Sequence, residues 1–335
     1  MKYCCWIVVL FISFHASSQD TSTALTLDEV LFYSGRIVGQ QKKVVQKIES
    51  LTASDISNGN PQSMGDLLSQ TGNVFVQKSQ QGGSSPVLRG FEASRILLVV
   101  DGIRVNNAIY RTGHLQNIIT IDPNMLQGVE VTYGPASTLY GSDALGGVIR
   151  MSSKSPQLSQ DKKYIYSGTA FTRYSSANDE KTGHVEFNIG NNKWGFLQSY
   201  TYSFFDDLRM GTKYPKEFPD FGMRKEYMAN IGGIDTIVTN SNQQRQRPSG
   251  FSQWSLLEKV LFAPRENVRH TLNLQHSNST NVPRYDRLQD ERNNVLRYAD
   301  WYYGPQSRTL AAYELSAGKL NWVDEVKAII SYQHI

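Results

Sequence analysis

Residues 134–149 read GPASTLYGSDALGGVI, and glycine occupies positions 134, 141, 146 and 147. Glycine loses more backbone freedom on folding than any other residue, so such a cluster marks positive φ or the close approach of another backbone. The stretch is preceded by GVEVTY and followed by GVIRM, both apolar enough to read as strands. Three readings compete for it: a phosphate-cradling loop, a turn carrying a nucleophile, and a compact connection inside a domain. A phosphate loop needs GxxxxGK[ST], and no lysine follows these glycines. A nucleophile elbow needs GxSxG, which neither Ser137 nor Ser142 has, and no histidine is close in sequence. The compact connection is the reading that fits.

Working upstream, DPNML at 122–126 predicts a helical turn entered through Asp122 and Pro123. RILLVVDG at 95–102 is an apolar run closed by an Asp-Gly turn, the mark of a buried strand. SMGDLLSQT at 63–71 predicts a short helix with Ser63 as N-cap and Met64, Leu67 and Leu68 on one side. Helices and strands therefore interleave as far as Met151.

Downstream of SKSPQLSQDKK at 153–163 the pattern changes to period two. Val185, Phe187 and Ile189 fall on one face and His184, Glu186 and Asn188 on the other. Trp194, Phe196, Tyr200, Tyr202 and Phe204 then share one parity, after a tight turn at Asn191 and Asn192. Similar runs follow at 268–275 and 325–332, while 252–262 and 309–315 alternate less cleanly. Long polar loops at 206–233 and 276–294 separate them. A sandwich would hide the apolar face against a second sheet, whereas an outer-membrane barrel turns it to lipid. Tyrosine and tryptophan at strand ends, and short turns alternating with long loops, favour the barrel.

Composition narrows the function classes. The chain has 335 residues, 39% hydrophobic and 11% aromatic, with 18 tyrosines and a formal net charge of +4. So small a charge gives nucleic acid no basic face to bind. Residues 1–19 have Lys2, an apolar run and small residues before Ser18 and Gln19, the layout of a secretory signal peptide. Cys4 and Cys5 lie within that segment, so its removal leaves no thiol for a disulfide, a nucleophile or a metal. No further segment has the run of about 20 apolar residues that a membrane helix needs. No cluster of Cys, His or carboxylates suggests catalysis, and the expectation is a non-enzyme.

The linked motifs VLRGFEASRILLVVDGIRVNNA and LQGVEVTYGPASTLYGSDALGGVI resemble the plug domain of TonB-dependent outer-membrane receptors. The resemblance covers residues 27 to about 151 well and the later strands more loosely. It implies an α+β plug followed by an antiparallel transmembrane β-barrel, of 22 strands in the family. The implied divisions are a signal peptide at 1–19, a periplasmic leader at 20–45, the plug at 46–156 and the first part of the barrel at 157–335. With strands of about 9 to 11 residues, 22 of them need far more chain than follows Pro156, so a partial barrel is expected.

The plug motif residues are Arg89, Gly90, Asp101, Gly102, Gly134, Pro135, Tyr140, Gly141, Gly146 and Gly147. LDEVLF, that is Leu27, Asp28, Glu29, Val30, Leu31 and Phe32, resembles the segment called the TonB box, which a periplasmic energy-coupling protein would grip by strand addition. His114, in IYRTGHLQN, is the candidate ligand residue, because the family plug sends a loop there toward the extracellular mouth. Residues 112–149 further resemble the haemoglobin, transferrin and lactoferrin receptor subgroup. VPRYDRL and LRYADWYYGPQ resemble Bacteroidetes relatives of that subgroup.

The resemblance implies uptake of an iron-bearing ligand across a Gram-negative outer membrane: haem, a haem protein or a ferric siderophore. The implied partners are a TonB-type complex, outer-membrane lipid and a ligand or its carrier protein, with no permanently bound cofactor or metal. A secreted β-rich binding or adhesion module that never spans a membrane is the alternative.

Overall fold

The computed structural model describes residues 31–34, 37–40, 47–78, 80–105, 118–160, 162–214, 216–320 and 323–335. The signal-peptide segment at 1–19, residues 27–30 and His114 lie outside the described residues. Leu31 and Phe32 fall in a strand, Leu31–Ser34, paired antiparallel with Ile37–Gln40.

The N-terminal unit is built on strands β1 (Ile48–Thr52), β2 (Ile96–Val100), β3 (Ile103–Arg104), β4 (Leu126–Tyr133) and β5 (Gly147–Ser153), in spatial order β1-β4-β5-β2-β3. β2 and β5 run parallel, from Ile96 opposite Gly147 to Val100 opposite Met151; the other pairs are antiparallel. Helix α1 (Ala53–Gly59) begins with a capping box, in which Thr52 Oγ1 accepts from Asp55 N and Asp55 Oδ2 accepts from Thr52 N. Helix α2 (Met64–Gln70) starts at Ser63, whose side chain accepts from Asp66 N. A helical turn at Pro123–Met125 follows Asp122, as the sequence predicts.

β2 is buried from end to end, so both of its faces need cover. Ile96, Leu98 and Val100 pack with Met64, Leu67, Leu68, Val129, Ile149 and Met151. Leu97 and Val99 pack with Ala136, Tyr140, Ala144 and Val148. The glycine-rich stretch is therefore the lid over the second face. Any side chain at Gly146 would overlap Phe91, and a Cβ on Gly147 would sit 2.5 Å from the Thr132 carbonyl oxygen. Two successive close approaches explain two successive glycines.

Beyond this unit the chain forms β6 (Ile165–Ser175), β7 (Glu180–Gly190), β8 (Trp194–Phe205), β9 (Phe251–Arg265), β10 (Val268–Ser279), β11 (Ser307–Leu320) and β12 (Val323–His334). Among the described residues they make one antiparallel sheet in chain order. The pieces that alternate less cleanly in sequence are full strands, β9 and β11, of 15 and 14 residues. β9 carries an irregularity between Phe262 and Arg265, which shifts the parity there. The first polar loop is not featureless, since Glu226–Ile231 and Ile234–Thr239 pair as a hairpin around Gly232 and Gly233, both at positive φ. Connections of two or three residues at one end of the sheet alternate, at the other, with a four-residue turn after β6 and long excursions after β8 and β10.

Among the described residues no helix is long and apolar enough to cross a membrane. The sheet has the polarity a soluble domain avoids. On β8, Ser199, Thr201 and Ser203 are buried against the N-terminal unit while Tyr200, Tyr202 and Phe204 are exposed.

Candidate functional site

The contact between the two units centres on the Asp101–Gly102 turn between β2 and β3. Both residues are left-handed, at φ 49° and 80°, which turns the Asp101 side chain away from its own sheet toward the strands. Asp101 Oδ1 accepts from Ser153 N at 2.8 Å, and Oδ2 accepts from the Ser153 hydroxyl. Oδ2 also accepts from Asn273 Nδ2 at 2.8 Å and Gln275 Nε2 at 2.9 Å, with Lys259 Nζ at 3.5 Å. Lys259 donates in turn to the Ser153 carbonyl at 3.2 Å, and Arg308 to Gln275 Oε1 at 3.0 Å. Strands β9 and β10 thus send polar groups to one carboxylate, and β11 supports them through Arg308 on Gln275. Burial pushes the Asp101 carboxyl upward, but the Lys259 charge and hydrogen bonds from Ser153 and Asn273 outweigh it and hold it below the ordinary carboxylate value.

Further contacts tie the seam along its length. Glu180, fully buried, accepts from Arg173 Nε at 2.8 Å and from Gln62 Nε2 at 2.6 Å, and Arg173 reaches on to the Pro61 carbonyl. Ser277 donates to the Thr120 carbonyl and Gln253 to the Ile119 carbonyl. Near the long loops, Gly82 lies against Val282, Ile119 and Phe251, where a Cβ would approach Val282 to 2.7 Å.

The remaining motif residues serve local geometry. Arg89 and Gly90, at φ 49° and 84°, form the tight turn closed by reciprocal hydrogen bonds between Leu88 and Phe91. The Arg89 guanidinium lies over the Tyr133 ring, 5.5 Å from its centre, and the Tyr133 hydroxyl donates to Glu49. Burial, reinforced by the Glu49 carboxylate, raises the Tyr133 phenol above its ordinary value. Gly134 and Gly141, at φ 95° and 90°, bracket Pro135 and the turn Ser137–Tyr140. Among the described residues no three Asp, Glu, His or Cys side chains gather to hold a metal ion.

Residues 40–148, which carry this turn chemistry, match the family described as TonB-dependent Receptor Plug Domain. The N-terminal unit is a TonB-dependent receptor plug domain. The chain is 32% identical over 150 residues to the vitamin B12 transporter BtuB of Vibrio vulnificus (strain CMCP6), an alignment covering 44% of this chain and 23% of that protein. In structure it is similar to the FrpB iron transporter from Neisseria meningitidis, with a TM-score of 0.61 and 17% identity over 85% of this chain and 40% of that one. It is also similar to the copper transporter OprC, with a TM-score of 0.59 and 15% identity over 85% and 37%. The chain spans less than half the length of each of these proteins. The fold is a plug domain followed by a large antiparallel sheet like that of TonB-dependent receptor barrels.

At the end of the plug marked by Gly82 and Ile119, the two long loops lock to one another through arginine and aromatic side chains. Arg224 of the first loop donates to the Leu288 carbonyl of the second at 2.6 Å and lies over Tyr285, 5.7 Å from the ring centre. Burial lowers the Arg224 guanidinium from its ordinary value and raises the Tyr285 phenol. Arg284 lies over Tyr303, and Arg287 over Trp301. Trp301, Tyr302 and Tyr303 remain exposed, so the loops present aromatic faces beside guanidinium groups. Arg284 and Arg287 are ion-paired with Asp286 and Asp290, so what the surface leaves open is chiefly its aromatic rings.

Asp101 stands out in the sequence as the residue that closes an apolar run, but its partners do not. Lys259 was legible as a lysine on the parity of Leu257 and Leu261, and Asn273 and Gln275 as polar alternates in an apolar strand. What could not be read was that two separate strands converge on one plug turn.

Proposed function

We propose that this protein is a TonB-dependent outer-membrane receptor that imports an iron-bearing ligand, either haem, a haem protein or a ferric siderophore. The observation that carries the reading is the plug seated on the polar face of a sheet whose other face is apolar, the arrangement of a lipid-embedded barrel around a plug. The long loops lie at the plug end marked by Gly82, where a ligand arriving from outside would meet Tyr303, Trp301 and Arg287. Planar iron-bearing ligands suit the exposed aromatic rings there. Transport is common to the similar proteins and their named cargoes differ, vitamin B12, copper and iron, so cargo is the property to test.

In this reading an exported chain, freed of residues 1–19, sits in outer-membrane lipid. Leu27, Asp28, Glu29, Val30, Leu31 and Phe32 hand energy from a TonB-type complex to the plug, and His114 touches the ligand, as an axial ligand if the cargo is haem. A carrier protein delivers the cargo where haem is protein-bound. The test is uptake of labelled haem, a ferric siderophore and vitamin B12 by cells expressing the full-length receptor. The expected result is uptake of an iron-bearing ligand that is lost on deleting residues 27–32 while surface binding persists. Uptake of vitamin B12 alone would overturn the cargo, and uptake surviving the deletion would overturn the coupling segment. An unchanged haem Soret band in His114→Ala would remove that residue from the site.

A further inference from the structure

The outward face of β8 and β9 carries aromatic residues at two levels. Trp194 is paired in register with Phe262, their rings stacked at 4.2 Å, and Tyr202 is paired with Trp254, which packs against His276 at 4.8 Å. Midway between these levels, four residues from each along both strands, Gln198 is paired with Glu258. Four residues of strand rise about 13 Å, and the lipid-facing band of a barrel is about 25 Å tall between its aromatic girdles. Gln198 and Glu258 therefore sit at the middle of the band. Both point outward and are partly exposed, while Leu197, Ser199, Leu257 and Lys259 face the plug.

Their surroundings offer them nothing polar. Phe187 lies opposite Gln198 on β7, and Leu274 opposite Glu258 on β10. Gln198 Nε2 donates to Glu258 Oε1 at 2.7 Å, and among the described residues neither side chain has another hydrogen bond or ion pair. A carboxyl group with one neutral neighbour at mid-membrane depth lacks the donors it needs, and lipid tails have none to give. A protein surface does.

We propose that this patch is a contact surface for a second copy of the same chain. The pair is self-complementary. A two-fold axis along the membrane normal, as two receptors in one membrane must have, brings each Gln198 opposite the partner's Glu258 at similar depth. Each carboxamide has a second N–H to donate across the axis, and each carboxyl group a second oxygen to receive it. The surrounding Phe196, Tyr200, Leu256 and Val260 supply the apolar contact around this polar centre.

The inference rests on the reading of the sheet as a lipid-embedded wall, and its test separates the two. In the full-length receptor lacking other cysteines, Val260→Cys is placed beside the proposed axis and Ala328→Cys on the outward parity of the distant strand β12. Outer-membrane fractionation and heat-modifiable migration establish that each variant is folded in the membrane. The expected result is oxidative dimer formation from Val260→Cys at least tenfold above Ala328→Cys, and its fall by a similar factor when Gln198→Leu and Glu258→Leu are added. A folded, membrane-inserted receptor in which Val260→Cys gives no more dimer than Ala328→Cys overturns the contact alone. Dimers that persist unchanged in the Gln198→Leu, Glu258→Leu background overturn the role of the polar pair. A receptor absent from the outer membrane overturns the lipid-embedded reading and the contact with it.

Discussion

Two strands of this molecule solve opposite problems. In the plug, Ile96–Val100 is apolar throughout and buried on both faces, with the helices on one side and the glycine-rich lid on the other. In the sheet, Trp194–Phe205 alternates, but the residues it buries are Leu197, Ser199, Thr201 and Ser203, and those it exposes are tyrosine and phenylalanine. The plug makes its own interior and obeys the rule for a domain in water. The sheet borrows its interior from the plug and turns its apolar side outward, which in the proposed outer-membrane reading is the rule for a wall in lipid. The seam between them is consequently polar, with Asp101 and Lys259 at its centre.

The largest way to break this comparison is to leave a seam charge alone. Asp101→Ala leaves Lys259, whose side chain is 5% exposed, without its counter-ion. Removing one partner of a buried pair costs about 3–5 kcal/mol. The expected outcome is a fall of that size in the denaturant stability of the plug in the full-length receptor, largely restored by adding Lys259→Met. The pH dependence has a definite sign. Because the folded Asp101 pKa lies below the free value of 3.8, the stabilisation is complete above 3.8 and is lost as pH falls through the lower folded value. Acid titration of plug release should show that step, and Asp101→Asn should remove it. A step at neutral pH would mean that another group holds the seam.

The plug was legible because its signals are local. Ser63 caps α2, Asp122 and Pro123 open a helical turn, and Asp101 with Gly102 ends a buried strand, each readable within a few residues. The alternation of β7 and β8 was equally plain. What escaped is long-range or structurally indifferent to sequence. Asp101 meets Asn273 across 172 positions, a pairing no periodicity encodes. The hairpin Glu226–Ile231 with Ile234–Thr239 projects from a loop and is exposed along most of its length, so burial imposes no clean alternation on it. β9 looked irregular because it exposes Glu258 and buries Lys259, a charge on each face of one strand.

A matched pair of truncations sharpens the contrast between the two interiors. Leu98 is 2% exposed in the plug core, and Leu98→Ala is expected to cost about 2–5 kcal/mol through lost burial and a residual cavity. Leu272 is 43% exposed on the outward face, and under the proposed lipid-embedded reading Leu272→Ala is expected to cost less than about 1 kcal/mol, because its surroundings would be as apolar unfolded as folded. Unfolding both variants of the full-length receptor in the same detergent gives the ratio directly. Equal costs would mean that the outward face of the sheet is covered by protein at Leu272.

The smallest expected effect tests whether solvent alone makes the difference. At the water-exposed ends of both regions the same local device appears: a short polar side chain that accepts backbone N–H groups. Thr52 Oγ1 accepts from Asp55 N at the start of α1, and Asn191 Oδ1 accepts from Lys193 N and Trp194 N in the turn between β7 and β8. Neither site touches lipid or the seam in this reading, so the two should be worth the same. A cap of this kind contributes about 0.5–2 kcal/mol. Thr52→Ala and Asn191→Ala are therefore expected to destabilise their own regions by about 1 kcal/mol each, measured by hydrogen exchange at Asp55 and Trp194. In Thr52→Ala an acid step shrinks but persists, because the backbone N–H, the larger contributor, remains. The hydrogen bonds from the Thr52 backbone N–H and then its hydroxyl hold the Asp55 carboxyl below its free value of 3.8, a stabilisation present above 3.8 and lost as pH falls through the lower folded value. If Asn191→Ala costs several times more than Thr52→Ala, strand pairing in the sheet depends on its turns in a way the plug does not, and surroundings alone do not account for the difference between the two regions.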